Sequence, residues 1–455
     1  MEKHRQRMGA NQPLAILALV GYLIAAPARA DWDATVTTGL GYSDNIGRLA
    51  TNTVDDTIAN VQSRFSIEEN TPRLFVDVVG NVGYYRYLDD TFDPEFLGNM
   101  AADMNVTLVD EYLRWLLTDN FGQVLTDPFT PATPTNRENF NYFATGPQAE
   151  FQLGGQLRLG LGAQYSRSDY EISPFDADGA LAHISLTHDF SEHSGLGLNA
   201  RYMDVEYDDA ALFDNSYKQD ELFLRYDAEG ARTRLTADAG YARFDQDSAP
   251  DTESGPMFRI DVTRQVTARS VLILTAGHEF SNSSIVYSQM QNGEPLDLEM
   301  VGGRQTVDPF VSTRAALRWD YDGTRSGFTL SSSYRDEDYR MRPELDQKLV
   351  SFTAEAEHYV TPTVDLNMRA SYADVNFEQP GGDYDEVDAT VGLNWRMTRT
   401  IGLGFSYQYT KRDSELATAS YDENRVWLSL GWQRGNPRHS VMNRFDRSRR
   451  NPEVN

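Results

Sequence analysis

Residues 400–411 read TIGLGFSYQYTK, and residues 424–433 read NRVWLSLGWQ. In the first stretch Ile401, Leu403, Phe405, Tyr407 and Tyr409 share one face, while Gly402, Gly404, Ser406 and Gln408 share the other. In the second, Val426, Leu428, Leu430 and Trp432 alternate with Arg425, Ser429 and Gly431. Successive side chains of a strand point to opposite sides, so this period of two marks strands with one apolar and one polar face. The same alternation runs through Leu157–Tyr165, Leu222–Tyr226, Val364–Tyr372 and Val387–Trp395.

Outward from these segments the chain divides into twenty alternating stretches joined by nineteen connections, alternately short and long. The short ones are Glu69–Pro72, Val109–Asp110, Gly154–Gly155, Ser191–Ser194, Ala228–Ala231, Thr267–Ala268, Asp322–Thr324, Val360–Pro362 and Met397–Thr398. The long ones are rich in Asp and run from seven residues (Glu171–Ala177) up to Asn282–Pro309. Antiparallel strands need only tight turns, so one end of the sheet is long for another reason. The pattern predicts an all-β fold: an antiparallel transmembrane β-barrel of about 20 strands, with short periplasmic turns and long extracellular loops. In a soluble sandwich the apolar face would be core. In a closed barrel of this size it must meet lipid. A propeller would repeat at a fixed sequence period and lack the long/short rhythm, and no such period is present.

The N-terminus has the form of a secretory signal. Lys3, Arg5 and Arg7 precede the apolar run Pro13–Ala26, and Ala28-Arg29-Ala30 offers a small-x-small cleavage site. Residues 1–30 are therefore expected to be removed, residues 31–432 to form the barrel, and residues 433–455 to be an Arg-rich periplasmic tail. The chain has no Cys, which excludes disulfides, thiol catalysis and Cys-based metal sites. Residues 31–455 carry 37 basic and 67 acidic side chains, a net −30. Such acidity argues against generic nucleic-acid binding, which needs a basic footprint. Acidic outer loops suit solvation and shared divalent cations with lipopolysaccharide. Aromatics sit at both expected membrane interfaces. Tyr84, Tyr85, Tyr165, Tyr202, Tyr241, Tyr334, Tyr372 and Tyr409 end upward strands; Phe190, Tyr226, Trp319, Trp395 and Trp432 end downward ones.

Four features could carry function. Arg158, Arg201, Arg225, Arg314, Arg318 and Arg369 fall on the lumen-facing parity of their strands. An arginine ring would select anions such as an acidic sugar polymer. Asp227, Asp320, Glu355, Glu357 and Asp365 share that parity, and their presence favours neutralised ion pairs instead. His183 and Ser185 lie on one face, as a general base and nucleophile would, yet Thr187 and Asp189 share that face and no orienting or oxyanion group is identifiable. Catalysis is not expected. The clusters Asp204-x-Glu206-x-Asp208-Asp209, Asp55-Asp56 and Asp383/Asp385/Glu386 could take weak cations but do not match a dedicated Ca²⁺ loop. No cofactor is expected, and Gly195-x-Gly197 and Gly402-x-Gly404 are strand glycines. The fourth feature is DNFGQVLTDPFTPATPTNREN over Asp119–Asn139. Gly122, Pro128, Pro131 and Pro134 are expected to break any strand there. The segment should then hold a fixed path, either on the rim or folded into the barrel to narrow it.

These last residues also carry a family resemblance. Gly41-Tyr42-Ser43-Asp44-Asn45, the strand end Tyr84-Tyr85-Arg86-Tyr87, and the segment holding Asp119, Asn120, Gly122, Asp127, Pro128, Pro131, Pro134 and Arg137 resemble outer-membrane barrels associated with PEP-CTERM/exosortase systems. The resemblance implies an envelope component of an exopolysaccharide locus, with export components as periplasmic partners, and no catalytic residue. The resulting expectation is a passive polar conduit for exopolysaccharide. A scaffolding barrel with a plugged lumen is the alternative, and a lipid-modifying enzyme a weaker one.

Overall fold

The computed structural model describes residues 31–208, 216–247, 251–282, 309–340 and 342–434. The expected signal, the tail beyond residue 434, Asp209 and most of the Asn282–Pro309 loop lie outside them. The described residues form twenty strands. The first quarter holds β1 (Asp31–Ser43), β2 (Asp56–Asn70), β3 (Leu74–Tyr87), β4 (Glu95–Val109) and β5 (Leu113–Leu125). Then come β6 (Arg137–Gln152), β7 (Leu157–Tyr170), β8 (Ala177–Ser191), β9 (Ser194–Tyr207) and β10 (Tyr217–Glu229). The second half begins with β11 (Thr233–Gln246), β12 (Glu253–Thr267), β13 (Ser270–Ser281), β14 (Phe310–Asp322) and β15 (Ser326–Tyr339). It ends with β16 (Gln347–Thr361), β17 (Val364–Phe377), β18 (Tyr384–Arg396), β19 (Ile401–Ser414) and β20 (Tyr421–Arg434).

Each strand pairs antiparallel with the next. The sheet closes through β1 and β20, from Ala34 opposite Arg434 to Ser43 opposite Arg425. Closure removes every sheet edge, which a lipid environment requires because unpaired backbone groups have no water to bond. The nine short turns fall within two residues of the places the alternation assigned.

Side-chain exposure separates the two faces. Leu428 and Leu430 on β20 are 54% and 49% exposed, whereas Glu423 on the opposite face of the same strand is 2% exposed. The apolar face is thus turned away from the protein, as a lipid-facing surface must be, and the polar face is covered by neighbours inside the barrel. Above the outward apolar band sits a ring of tyrosines whose hydroxyls donate to aspartates nearer the loops. Tyr42 donates to Asp55 (3.4 Å), Tyr202 to Asp204 (3.2 Å), Tyr334 to Asp336 (2.9 Å) and Tyr409 to Asp422 (2.9 Å). Tyr165–Asp178 and Tyr372–Asp385 make the same pair. A phenol keeps its ring at headgroup depth while its hydroxyl reaches the wet acidic rim, so this ring marks the outer interface.

Candidate pore constriction

Both ends of Asp119–Asn139 are strand. β5 continues to Leu125, and β6 resumes at Arg137, leaving residues 126–136 as the connection. Gly122 therefore does not break the strand: it pairs with Phe140, and Asp119 and Asn120 pair with Phe143 and Tyr142. The expectation fails there because the β6 partner holds the ladder, while the prolines are confined to the connection. Gly122 has another role. Pairing between β4 and β5 stops at Met100 opposite Phe121, although β4 runs on to Glu95 and β5 to Leu125. Gly122 is the first residue past that point, so the top of the β5–β6 hairpin leaves the wall there.

The gap left by this departure is closed by side chains. Gln123 accepts from the Gly98 N–H through Oε1 (3.1 Å) and donates to Asn139 Oδ1 (2.7 Å). A buried N–H without a partner is costly, and Gln123 supplies the acceptor that β5 no longer provides. Arg137 pairs with Glu95 on β4, and the Tyr87 hydroxyl donates to the same carboxylate.

The connection crosses the mouth to the far wall. The Phe129 ring lies 4.8 Å from that of Phe377 on β17, and packs with Leu349, Val375 and Tyr384 in one cluster and with Phe310, Tyr339 and Leu345 in another. These residues belong to β14–β18 and the turn after β15, roughly half the circumference from β5. Two arginines hold the tip by its carbonyls. Arg412 of β19 donates from Nη2 to Phe129 O (3.2 Å), and Arg48, in the loop after β1, donates from Nη1 to Ala132 O (3.3 Å). Inward folding, one of the two paths the prolines allowed, is the one taken.

Asn136 fixes the tip's internal shape. Its Nδ2 lies 2.9 Å from Asp127 O, 2.8 Å from Thr130 Oγ1 and 3.1 Å from Pro131 O. Its Oδ1 accepts from the Asp127 N–H and the Thr126 hydroxyl, both at 2.8 Å. Asp127 in turn accepts from the Phe129 N–H (3.0 Å). Pro128, Pro131 and Pro134 limit the backbone between these anchors, since each fixes φ and lacks a donor to satisfy. A second inward contact stands beside it. Buried Glu138 accepts from the N–H groups of Ile172 (2.6 Å) and Ser173 (2.9 Å), tying down the loop after β7. In that loop Asp176 accepts from the Tyr170 N–H (2.8 Å), and burial pushes its carboxyl up to about 6.

Below the constriction, all six sequence-selected arginines face the lumen, and each is paired. Arg158 meets Asp189 (2.8 Å) and Glu150 (3.3 Å), Arg201 meets Glu221 (2.6 Å), and Arg225 meets Asp238 (2.8 Å). Arg314 pairs with Glu279, Arg318 with Asp320 (3.0 Å), and Arg369 with Glu355 (3.6 Å). The ion-pair alternative is the arrangement formed. Of the expected neutralisers Asp320 and Glu355 serve; Asp227 accepts from Thr236 and Asp365 from Asn394. Arg259 on β12, not selected from sequence, joins Glu221, Asp238 and Glu279 into one network across β9–β14. The Phe223 ring lies under both Arg225 and Arg259.

His183 and Ser185 both face the lumen, but no hydrogen bond joins them among the described residues. His183 lies over Gly162, and Ser185 over Gly160. The ladder neighbour of His183 is Arg201, a cation where an orienting carboxylate would be needed. Asp56 accepts from the Asp89 and Thr91 N–H groups, so it holds a loop. Among the described residues no group of His, Asp and Glu is placed to hold a metal ion. The residues that sequence reading missed are Phe129, Asn136, Arg48, Arg412, Gln123 and Arg259. Gln123, Phe129 and Asn136 lay inside the quoted motif without being singled out; Arg48, Arg259 and Arg412 lie outside it, and nothing local in the sequence marks their partners.

Residues 305–434 match the family model described as "Putative beta-barrel porin 2". No curated protein matches the sequence. Among solved structures, a mutant of the ferric enterobactin receptor PfeA of Pseudomonas aeruginosa is 10% identical, with TM-score 0.47, over 90% of this chain and 81% of that one. OccK2 (OpdF) of the same organism is 12% identical, with TM-score 0.36, over 89% and 98%. The siderophore receptor PiuA of Acinetobacter baumannii is 10% identical, with TM-score 0.44, over 90% and 82%. The chain is a porin-like β-barrel of the outer-membrane type.

Proposed function

We propose that this barrel is a passive polar conduit in the outer membrane that serves exopolysaccharide export or assembly. The observation that carries the reading is the tip formed by residues 126–136, which crosses the outer mouth above a lumen lined by polar and charged groups. A barrel needing only to stand in the membrane has no use for a shaped constriction. A conduit does, because selectivity depends on what lines its narrowest part. The specific link to exopolysaccharide and to PEP-CTERM systems rests on the sequence resemblance in that same segment. Lipopolysaccharide around the acidic rim, an anionic polymer in the lumen and periplasmic export components are the partners this role calls for. One observation favours a second reading, a scaffold with a plugged lumen: the Phe129 side chain is seated in two apolar clusters on the far wall, as a stopper would be.

Removing the chromosomal copy and staining for surface carbohydrate tests the proposal. Loss of surface polymer, restored by the wild-type copy, is the expected result. Intact polymer would end the export assignment.

A further inference from the structure

Tyr165, Tyr202, Tyr241, Tyr334, Tyr372 and Tyr409 are each the ninth residue of an ascending strand, β7, β9, β11, β15, β17 and β19. The ninth residue of β5 is Phe121, and one outward step below it stands Asp119. The ladder fixes its direction. Asp119 pairs with Ala102, which pairs with Val78 and so with Ile67. These share a face with Val61 and Tyr84, 53% and 51% exposed on the outer surface. An ionisable side chain therefore points out of the barrel just beneath the interface, among Leu117, Phe121, Ala102 and Phe143.

Such a residue needs a partner, because hydrocarbon supplies none. Asn141 hydrogen-bonds the Asp119 carboxylate, but Oδ1 has no partner among the described residues. The residue is half-buried, and the soft χ2 of Asp lets either oxygen turn outward. Arg167 stands opposite Phe143 on β7, but it is taken by Asp169, Asp176, Asp178 and Asp208 at 2.8–3.5 Å. The local charge is negative, and among the described residues no group of His, Asp and Glu is placed to hold a metal ion. What fits is a cation with N–H groups to donate. Beside Asp119 the wall offers an apolar surface, where Val78, Met100 and Phe121 pack with Ile67, Val76 and Phe96. It runs from Phe96, near the outer end of β4, to Val76 and Ile67, near the periplasmic ends of β3 and β2.

We propose that Asp119 anchors an outer-leaflet lipid with a primary-ammonium headgroup: the ammonium donates to the Asp119 carboxylate, and an acyl chain lies along the surface from Phe96 to Ile67. A quaternary ammonium has the charge but no N–H, so it serves poorly. An anionic headgroup meets like charge. The site faces the membrane and does not depend on passage through the lumen.

The full-length protein, folded in detergent, is mixed with phosphatidylethanolamine, phosphatidylcholine or phosphatidylglycerol of matched acyl chains and read by native mass spectrometry. One phosphatidylethanolamine should be retained roughly tenfold more tightly than either competitor, as one charge-assisted hydrogen bond predicts. Asp119→Asn should reduce it to the phosphatidylcholine level, whereas Asp336→Asn, at a rim tyrosine, should leave the preference intact. On the wild-type protein, dicyclohexylcarbodiimide, which activates carboxyl groups in apolar surroundings, should couple the lipid amine to Asp119 as an amide, mapped by tandem mass spectrometry. That coupling decides the matter if Asp119→Asn does not fold. Equal retention of the ethanolamine and choline lipids, a preference for phosphatidylglycerol, or an unchanged preference in Asp119→Asn would overturn the proposal. So would amide adducts confined to carboxylates of the outer loops.

Discussion

Asn136 and Asp176 show how single side chains shape the inward loops. Asn136 spends both ends of its amide on the backbone and hydroxyls of residues 126–131. Replacing it with Ala leaves several buried groups unpaired, at a cost on the order of 3 kcal/mol to the local structure. Amide exchange over residues 126–136 should then rise roughly a hundredfold, since each 1.4 kcal/mol is a factor of ten. Asp176 gives a pH dependence. Its folded pKa, raised by burial to about 6, lies above the unfolded value of about 3.9. The contribution is therefore fully present below the unfolded value and lost as pH rises through about 6. Exchange protection of residues 171–176 should be greater at acidic than at neutral pH. In Asp176→Asn that difference should vanish; a wild-type profile in this variant would remove the residue from the account.

At the scale of elements, the β5–β6 hairpin decides what the mouth does. It can leave the wall because β6 holds its ladder and because Gln123 answers the Gly98 N–H that the departure strands. Gln123→Ala should destabilise this junction by about 1–3 kcal/mol, read as faster exchange at the Gly98 amide with little change at the periplasmic turns. The strands themselves were legible in sequence. Leu428, Leu430 and Trp432 alternate with Ser429 and Gly431, and a period of two has one meaning for a chain with this turn rhythm. The path of residues 126–136 was not. Three prolines announce a fixed path, yet its direction depends on Phe129 meeting Phe377 and on Arg412 meeting a carbonyl 283 residues away in sequence. Gly122 was misread for a related reason. A glycine within an alternating stretch marks a break or a close departure equally well, and only the partner strand decides between them.

Over the whole molecule, the lumen is charged but locally balanced. Parity placed six arginines inside, and the wall pairs each with a carboxylate; what parity could not give was depth, and depth is what assembles Arg259, Glu221, Asp238 and Glu279 into one network. Breaking a buried ion network by removing one member costs on the order of 3–5 kcal/mol, because the remaining charges lose their partner. Arg259→Met should accordingly lower the temperature at which the folded barrel loses its compact gel mobility, whereas Lys348→Met on the exposed outer face should not.

The central claim is that residues 126–136 narrow a continuous polar path. Its most direct test is conductance in planar bilayers of the wild-type barrel and of a variant in which residues 128–134 are replaced by a short Gly/Ser bridge. A small wild-type current that rises several-fold in the variant is expected. No current from either protein would contradict the account.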